Sequence, residues 1–265
     1  VVVGTANIGE VTINNITESG NTLTQVGKTA PEGFNSNYYG RAVLGTTGKL
    51  TIDGEEVVMI NTAEKLTEAI NNAKAGDTIT IAGDITLTEN VTIPAGVTFN
   101  GNGKQINGTL VAGGDIAFAG HTKVTAFSAG FSGYEITIGE GACLEITGGG
   151  RSTMGYNNTF NITGTITDAE TADKANIQPS LIMPDGISIT GGNGLELNIK
   201  NAYVQIGNTT SKNKAANGTF TINIENSIAE FTNQLTFSEP TSGKNPTFHL
   251  NVKNSVLTTA TKLIL

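Results

Sequence analysis

Leu197–Val204 reads LNIKNAYV, Ile222–Ala229 reads INIENSIA and Leu250–Leu257 reads LNVKNSVL. Each is apolar, Asn, apolar, charged, Asn, small, apolar, variable. The first Asn recurs at Asn198, Asn223 and Asn251, spacings of 25 and then 28 residues. Self-similarity at such a period marks a chain whose repeats bury their apolar faces against one another. Within each repeat the side chains alternate with period two, the strand periodicity. The second Asn (Asn201, Asn226, Asn254) stands where the strand must bend, and Asn tolerates the left-handed conformation of a corner. Stacked Asn side chains can also bond to one another from repeat to repeat. One coil of a parallel β-helix is the simplest object with these properties.

Working outward, the rest of the 265 residues fits an all-β chain with many corners. Charged residues are 14%, Gly is 34, and Thr, Ile and Asn are abundant; Thr and Ile suit strands, Gly and Asn suit turns. The net charge is −8 with no Lys/Arg cluster, which argues against a nucleic-acid partner. Acidic polysaccharides such as polyuronates would be repelled too unless a bound cation intervened. Cys143 lies in the alternating run Ala142–Ile146 and reads as a small buried apolar residue. No apolar run reaches the roughly 20 residues of a transmembrane helix. A chain beginning at Val1 reads as a processed or trimmed product.

Two regions are expected. Residues 1–60 are a β-rich N-terminal segment without the repeat, containing alternating Val11–Ile13, a Gly/Asn/Tyr-rich loop from Pro31 to Gly40, and a Lys49–Ile60 hairpin turning at Asp53-Gly54. Residues 61–265 are the repeat region, opened by a capping helix at 62–75. Thr62 caps that helix, Leu66, Ala69, Ile70 and Ala73 form its apolar face, and Gly76 ends it. Short strands follow at Thr78–Ile81, Ile85–Leu87, Val91–Ile93 and Val97–Phe99, with loops at Asp168–Ser180, Asn208–Asn217 and Ser238–Asn245.

The segment Ala75–Ile106, AGDTITIAGDITLTENVTIPAGVTFNGNGKQI, resembles the entry rungs of the pectate-lyase-like right-handed parallel β-helix superfamily. The resemblance lies in the capping helix, the Ala-Gly-Asp-Thr-Ile opening, the Val-Thr-Ile-Pro-Ala-Gly-Val-Thr-Phe corner and Gly101-Asn-Gly103. It implies a right-handed parallel β-helix with an N-terminal capping helix. It implies less about activity, because the superfamily includes lyases, hydrolases, phage tailspikes, adhesins and non-catalytic surface proteins.

A lyase of that resemblance would need clustered carboxylates for Ca²⁺ and a basic proton abstractor. The best grouping is Asp168, Glu170, Asp173 and Lys174 in one loop, which lacks the glycine turn of an EF-hand and reads as solvated. The arginines are Arg41 and Arg151, the latter after Gly148-Gly149-Gly150 in what reads as a corner. A hydrolase would resemble its family in a Gly-His-Gly element, from which Gly120-His121-Thr122 departs. His249 alternates with Phe248 and Leu250 and should face out. Aromatic residues are 6% with no Trp, so sugar platforms are scarce and a glycan groove would rest on Asn, Thr and acidic side chains. No catalytic residue, metal or cofactor is assigned.

These observations lead to the expectation of an exported, secreted or cell-surface, non-catalytic structural or adhesive protein of bacterial type. A polysaccharide lyase or glycoside hydrolase is the alternative, and a tailspike a third. Lys262-Leu-Ile-Leu aligns with Gln234-Leu-Thr-Phe, so the last repeat should present an open edge. The candidates for end-to-end self-association into a filament are Val1, Val2, Val3, Val11 and Ile13 on one side and Val256, Leu257, Leu263, Ile264 and Leu265 on the other. A glycan or other surface ligand is the remaining partner class.

Overall fold

A computed structural model describes residues 10–13, 49–52, 55–56, 60–130, 133–149, 152–154, 157–189, 194–207, 209–211, 218–237 and 247–264. The chain divides into two compact units, Val1–Ile60 and Asn61–Leu265. In the first, Glu10–Ile13 pairs in parallel with Lys49–Ile52, placing Val11 opposite Leu50 and Ile13 opposite Ile52. Glu55–Glu56 returns antiparallel on Lys49–Ile52 through Thr51↔Glu56, the hairpin read from the sequence. The expected turn residues Asp53-Gly54, the loop from Pro31 to Gly40, and Val1–Val3 lie outside the described residues.

The second unit opens with the helix Ala63–Asn72. The Lys65 amide donates to the Thr62 hydroxyl at 3.3 Å, satisfying one of the free donors of the first turn. Leu66 and Ile70 are buried, and the helix lies against the strand Val91–Ile93. It stops before the expected 75 because Ala73 is already extended. The Lys74 amide then turns onto the Asp77 carboxylate at 2.8 Å. Gly76, with φ of 95°, supplies the left-handed residue of that turn.

After the helix the unit is β-structure. The chain visits parallel sheets in a fixed order, and each strand pairs with its counterpart from the pass before. An eight-stranded sheet runs from Thr78–Thr80 to Thr247–Lys253. A nine-stranded sheet runs from Ile85–Thr86 to Val256–Thr259, and a five-stranded sheet from Ser152–Met154 to Lys262–Ile264. Gly194–Lys200, Tyr203–Ile206 and Thr209–Ser211 thus make one pass. Thr219–Glu225, Ile228–Phe231 and Gln234–Phe237 make the next and pair with them in that order, all parallel. Thr209–Ser211 falls inside the stretch read as a loop from Asn208 to Asn217. Three polar residues carry no apolar alternation, and the strand forms because Thr210 is in register with Ser188 and Thr236. The predicted alignment of Lys262-Leu-Ile with Gln234-Leu-Thr is the observed register.

The quoted repeats stack without a slip. Asn198, Asn223 and Asn251 are successive partners in the eight-stranded sheet, as are Lys200, Glu225 and Lys253. Asn201, Asn226 and Asn254 follow directly, with φ of 52°, 46° and 49°. Among the described residues, every non-glycine with positive φ is Asn, as a chain that must turn after each strand requires. The Asn226 amide donates to the Asn201 carbonyl oxygen of the side chain at 2.9 Å, joining two corners.

The core lies on the inward side of these sheets. Phe99, Phe118, Phe160 and Phe220 are almost fully buried, each in register with an aliphatic or aromatic residue of the next pass. Phe99 and Phe118 meet edge to face at 6.4 Å between centroids, and Phe118 meets Phe127 likewise at 5.3 Å. Each such burial contributes roughly 1.5–3 kcal/mol. Close approach fixes some glycines: a Cβ on Gly164 would stand 2.5 Å from the Asn201 carbonyl oxygen and 2.7 Å from the Ala202 Cα.

Two substitutions test this packing. Phe160→Ala should lower the unfolding free energy by about 3–5 kcal/mol in urea titration, because the neighbouring passes cannot collapse into the cavity. Asn226→Ala should destabilise more than Asn226→Gly, since glycine keeps the left-handed corner and loses only the side-chain bonds.

Candidate functional site

Two outward faces carry the polar chemistry of the second unit. On the nine-stranded sheet, Val204 and Ile206 point into the core and Tyr203 and Gln205 alternate with them. Register extends this into a file of outward side chains, Lys123–Glu145–Ile182–Gln205–Glu230–Thr258. Glu145 meets His121 Nε2 at 2.7 Å, an ion pair when the imidazole is protonated. Glu230 accepts from the Tyr203 hydroxyl at 2.6 Å and from Lys174 Nζ at 2.5 Å, and the Gln205 amide donates to the Tyr203 hydroxyl at 2.6 Å.

Lys174 reaches Glu230 from the connection between Thr163 and Leu181, which folds over the outside of this sheet as a strap. Ile166, Ala169, Tyr203 and Ile228 form a buried apolar cluster, with Ala172, Ile177 and Val256 packed against it. Asn226 pins the strap. Its side-chain amide donates to the Ile166 and Thr167 carbonyls at 2.9 and 3.2 Å, and its side-chain oxygen accepts from the Ala169 amide at 3.1 Å.

The electrostatics follow from these contacts. Burial alone would raise the Glu230 carboxyl, but hydrogen bonds from Lys174, Tyr203 and Gln205 outweigh it and hold the pKa below the usual range. Burial, then the bond to Glu230 and its charge, push the Tyr203 hydroxyl up to about 12. Cys143 is fully buried, as expected, although it stands on the same side of its strand as Glu145, and burial followed by the Glu145 charge pushes its thiol to about 12. That environment disfavours thiolate.

The loop carboxylates Asp168, Glu170 and Asp173 are exposed, as read from the sequence, and two of them close local turns of the strap. Asp168 accepts from the Glu170 amide at 3.0 Å and the Thr171 hydroxyl at 2.9 Å, which lower its pKa. Asp173 accepts from the Ala175 amide and the Asn176 side chain, opening a 3-10 turn at Lys174–Asn176. Asp84 and Asp115 link consecutive passes by accepting from the Gln105 and Glu135 amides, each at 2.8 Å. Glu145 and Glu230 lie three strand spacings apart in their file, about 14 Å. Among the described residues no three His, Cys, Asp or Glu side chains group as a metal site.

The second face is the outside of the eight-stranded sheet, where side-chain amides form a ladder. Asn161 donates to Glu135 at 2.7 Å, Asn198 to Asn161 at 2.9 Å, Asn223 to Asn198 at 2.7 Å and Asn251 to Asn223 at 2.7 Å. Beside it Lys253 pairs with Glu225 at 2.9 Å, and Lys200 lies 3.9 Å from the same carboxylate. The Lys253 bond and charge hold the Glu225 carboxyl below its ordinary range. A shallow groove of about 740 Å³ runs along these side chains. The recurring first Asn of the repeat was the signal for this ladder, although corner geometry drew attention to the second. His249 is exposed on the same face, as its alternation predicts.

Of the assembly candidates, Val1–Val3 and Leu265 lie outside the described residues. Val11 and Ile13 belong to the strand pairing with Lys49–Ile52. Val256 packs against the strap cluster, Leu257 is half-buried, and Leu263 is 45% exposed. Ile264 pairs with Thr236. Arg151 also lies outside the described residues.

No helix among the described residues is long and apolar enough to cross a membrane. The chain matches no protein-family model, no curated protein and no solved structure.

Two measurements check this face. The Glu230 contribution should be present above the pKa of an unfolded glutamate and be lost as pH falls through the lowered folded value. Thermal melts of Glu230→Gln should therefore show a shallower acid-side decline than the parent. Cys143 should resist a thiol reagent at neutral pH in the folded protein and react fully in denaturant.

Proposed function

We propose that the second unit is a right-handed parallel β-helix capped at its start by the Ala63–Asn72 helix, serving as an exported, non-catalytic structural or adhesive module at a bacterial cell surface. The return of the chain to the same sheets in the same order, in register, supports the solenoid part of this reading. The likeness of Ala75–Ile106 to the entry of the pectate-lyase-like fold supports the hand.

The observation that carries the non-catalytic part is the use of the acidic side chains. Asp84, Asp115, Asp168 and Asp173 close backbone turns and joints between passes. Glu135, Glu145, Glu225 and Glu230 are each held by a side-chain partner. A glycosidase needs two carboxyls roughly 5–9.5 Å apart across a scissile bond. Glu145 and Glu230, the pair on the nine-stranded face, are too far apart to share one.

Self-association belongs to the same reading. Among the described residues Thr247–Lys253, Val256–Thr259 and Lys262–Ile264 stand last in their sheets, and Val252 is 43% exposed where its counterpart Ile224 is buried. Unpaired strand edges with apolar side chains are templates for another chain.

Incubation with panels of uronate and neutral polysaccharides should give neither new reducing ends nor unsaturated products. Turnover abolished by Glu145→Gln or Glu230→Gln would establish the lyase or hydrolase alternative instead. Negative-stain imaging and light scattering should reveal end-to-end particles that Val252→Lys and Leu263→Lys disperse. Monomers at every concentration would remove the assembly part.

A further inference from the structure

We propose that the outer face of the eight-stranded sheet binds an uncharged, extended polysaccharide along a single file of side chains. The file starts at Thr78 and passes through Thr98, Ala117 and Thr137 into the amide ladder from Asn161 to Asn251. Successive positions are partners in register, so hydroxyls and amides recur at the strand spacing of about 4.8 Å over roughly 34 Å, with one apolar break at Ala117. That interval is close to the advance per residue of an extended pyranose chain, so a polymer lying across the strands meets the same groups at each sugar.

The file has the hydrogen-bonding capacity for this. A primary amide carries two N–H donors and an oxygen with two lone pairs. Asn198 uses one donor on Asn161 and one acceptor on Asn223, which leaves a second donor and a second lone pair. Asn223 directs its other contact to Glu196 at 3.5 Å, a long bond that a sugar hydroxyl can replace. The ladder already holds these amides in one orientation, so binding does not have to order them. The groove of about 740 Å³ covers the last three amides, Asn198, Asn223 and Asn251, with Lys200, Glu225 and Lys253 along one side.

Charge selects the ligand. No position in the file is ionisable. The adjacent file carries Glu135 and Glu196, and the chain as a whole is −8. Lys200 and Lys253 on the other side are paired with Glu225, so Glu135 and Glu196 leave the surroundings of the file net negative. A polyuronate is repelled, whereas a neutral chain of hydroxyls can use the carboxylates as acceptors. Scarcity of aromatic residues fits a site built from amides, hydroxyls and carboxylates instead of stacking platforms.

The inference rests on the non-catalytic surface reading, and its test is separate. The full chain would be run in native affinity gels and titrated calorimetrically with soluble hydroxyethylcellulose, galactomannan and polygalacturonate. Binding of at least one of the two neutral polymers and none of polygalacturonate is expected. Thr98→Lys and Thr137→Lys should each weaken that binding by about tenfold or more with unchanged melting temperature. Thr258→Lys, on the nine-stranded sheet, should leave it unaltered. The proposal is overturned if neither neutral polymer binds. It is equally overturned if binding survives both file substitutions, or falls as much with Thr258→Lys. Cleavage of a bound polymer would overturn the non-catalytic reading and leave the binding file in place.

Discussion

The constraint on which the second unit depends is that each side chain must coexist with its counterparts one strand spacing away on either side. In a parallel, in-register stack that spacing is about 4.8 Å, close enough for like charges to repel and for amides to bond. Apolar positions satisfy the constraint by packing, as Phe160, Leu197 and Ile222 do in one inward file. Outward positions satisfy it by choice of residue. Lys200, Glu225 and Lys253 alternate in sign, Glu196 stands next to Thr221, and Asn161, Asn198, Asn223 and Asn251 bond to one another. The low charge content of the chain is a consequence, because few files can accept a charge without a compensating neighbour.

The same constraint decided what could be read from the sequence. Repeated Asn and strict alternation disclose strands whose side chains are buried every second residue, which is why Gly194–Lys200 and Thr219–Glu225 were legible. The helix was legible too, from Thr62 and the Leu66–Ile70 spacing, although its end was set by the bond between Asp77 and the Lys74 amide. Thr209–Ser211 was not legible, since nothing local marks Thr-Thr-Ser as a strand and its pairing comes from residues 20 or more positions away. The strap was hidden for a related reason. Asp168, Glu170 and Asp173 look like solvated charges, and only the fold brings Asn226 and Glu230 to hold the segment around them. Of the candidate sites, the ladder was half visible: the Asn residues recurred in plain sight, but their mutual bonding required the register.

Asn226 shows how local and distant demands converge on one residue. Its backbone is left-handed and ends a strand, and its side chain bonds the corner of the previous pass and three backbone groups of the strap. Glycine would satisfy the first demand alone, and Asp would lose the donors. The repeat therefore selects Asn at a corner for reasons of both conformation and recognition.

The ladder also separates length from fit. Asn223 and Asn251 bond across 28 residues, Asn198 and Asn223 across 25, and Asn161 and Asn198 across 37, with the strap accounting for the longest interval. The distances between the amides are nearly equal in all three cases. Segments between strands can thus be lengthened, swapped or decorated while the stack stays in phase, because loop closure costs grow only slowly with loop length. Such a scaffold is open to change by insertion and closed to change by a single-residue slip within a strand, which would turn every side chain of that strand to the opposite face. Diversification of its surface is accordingly expected to proceed by whole loops grafted between invariant strands.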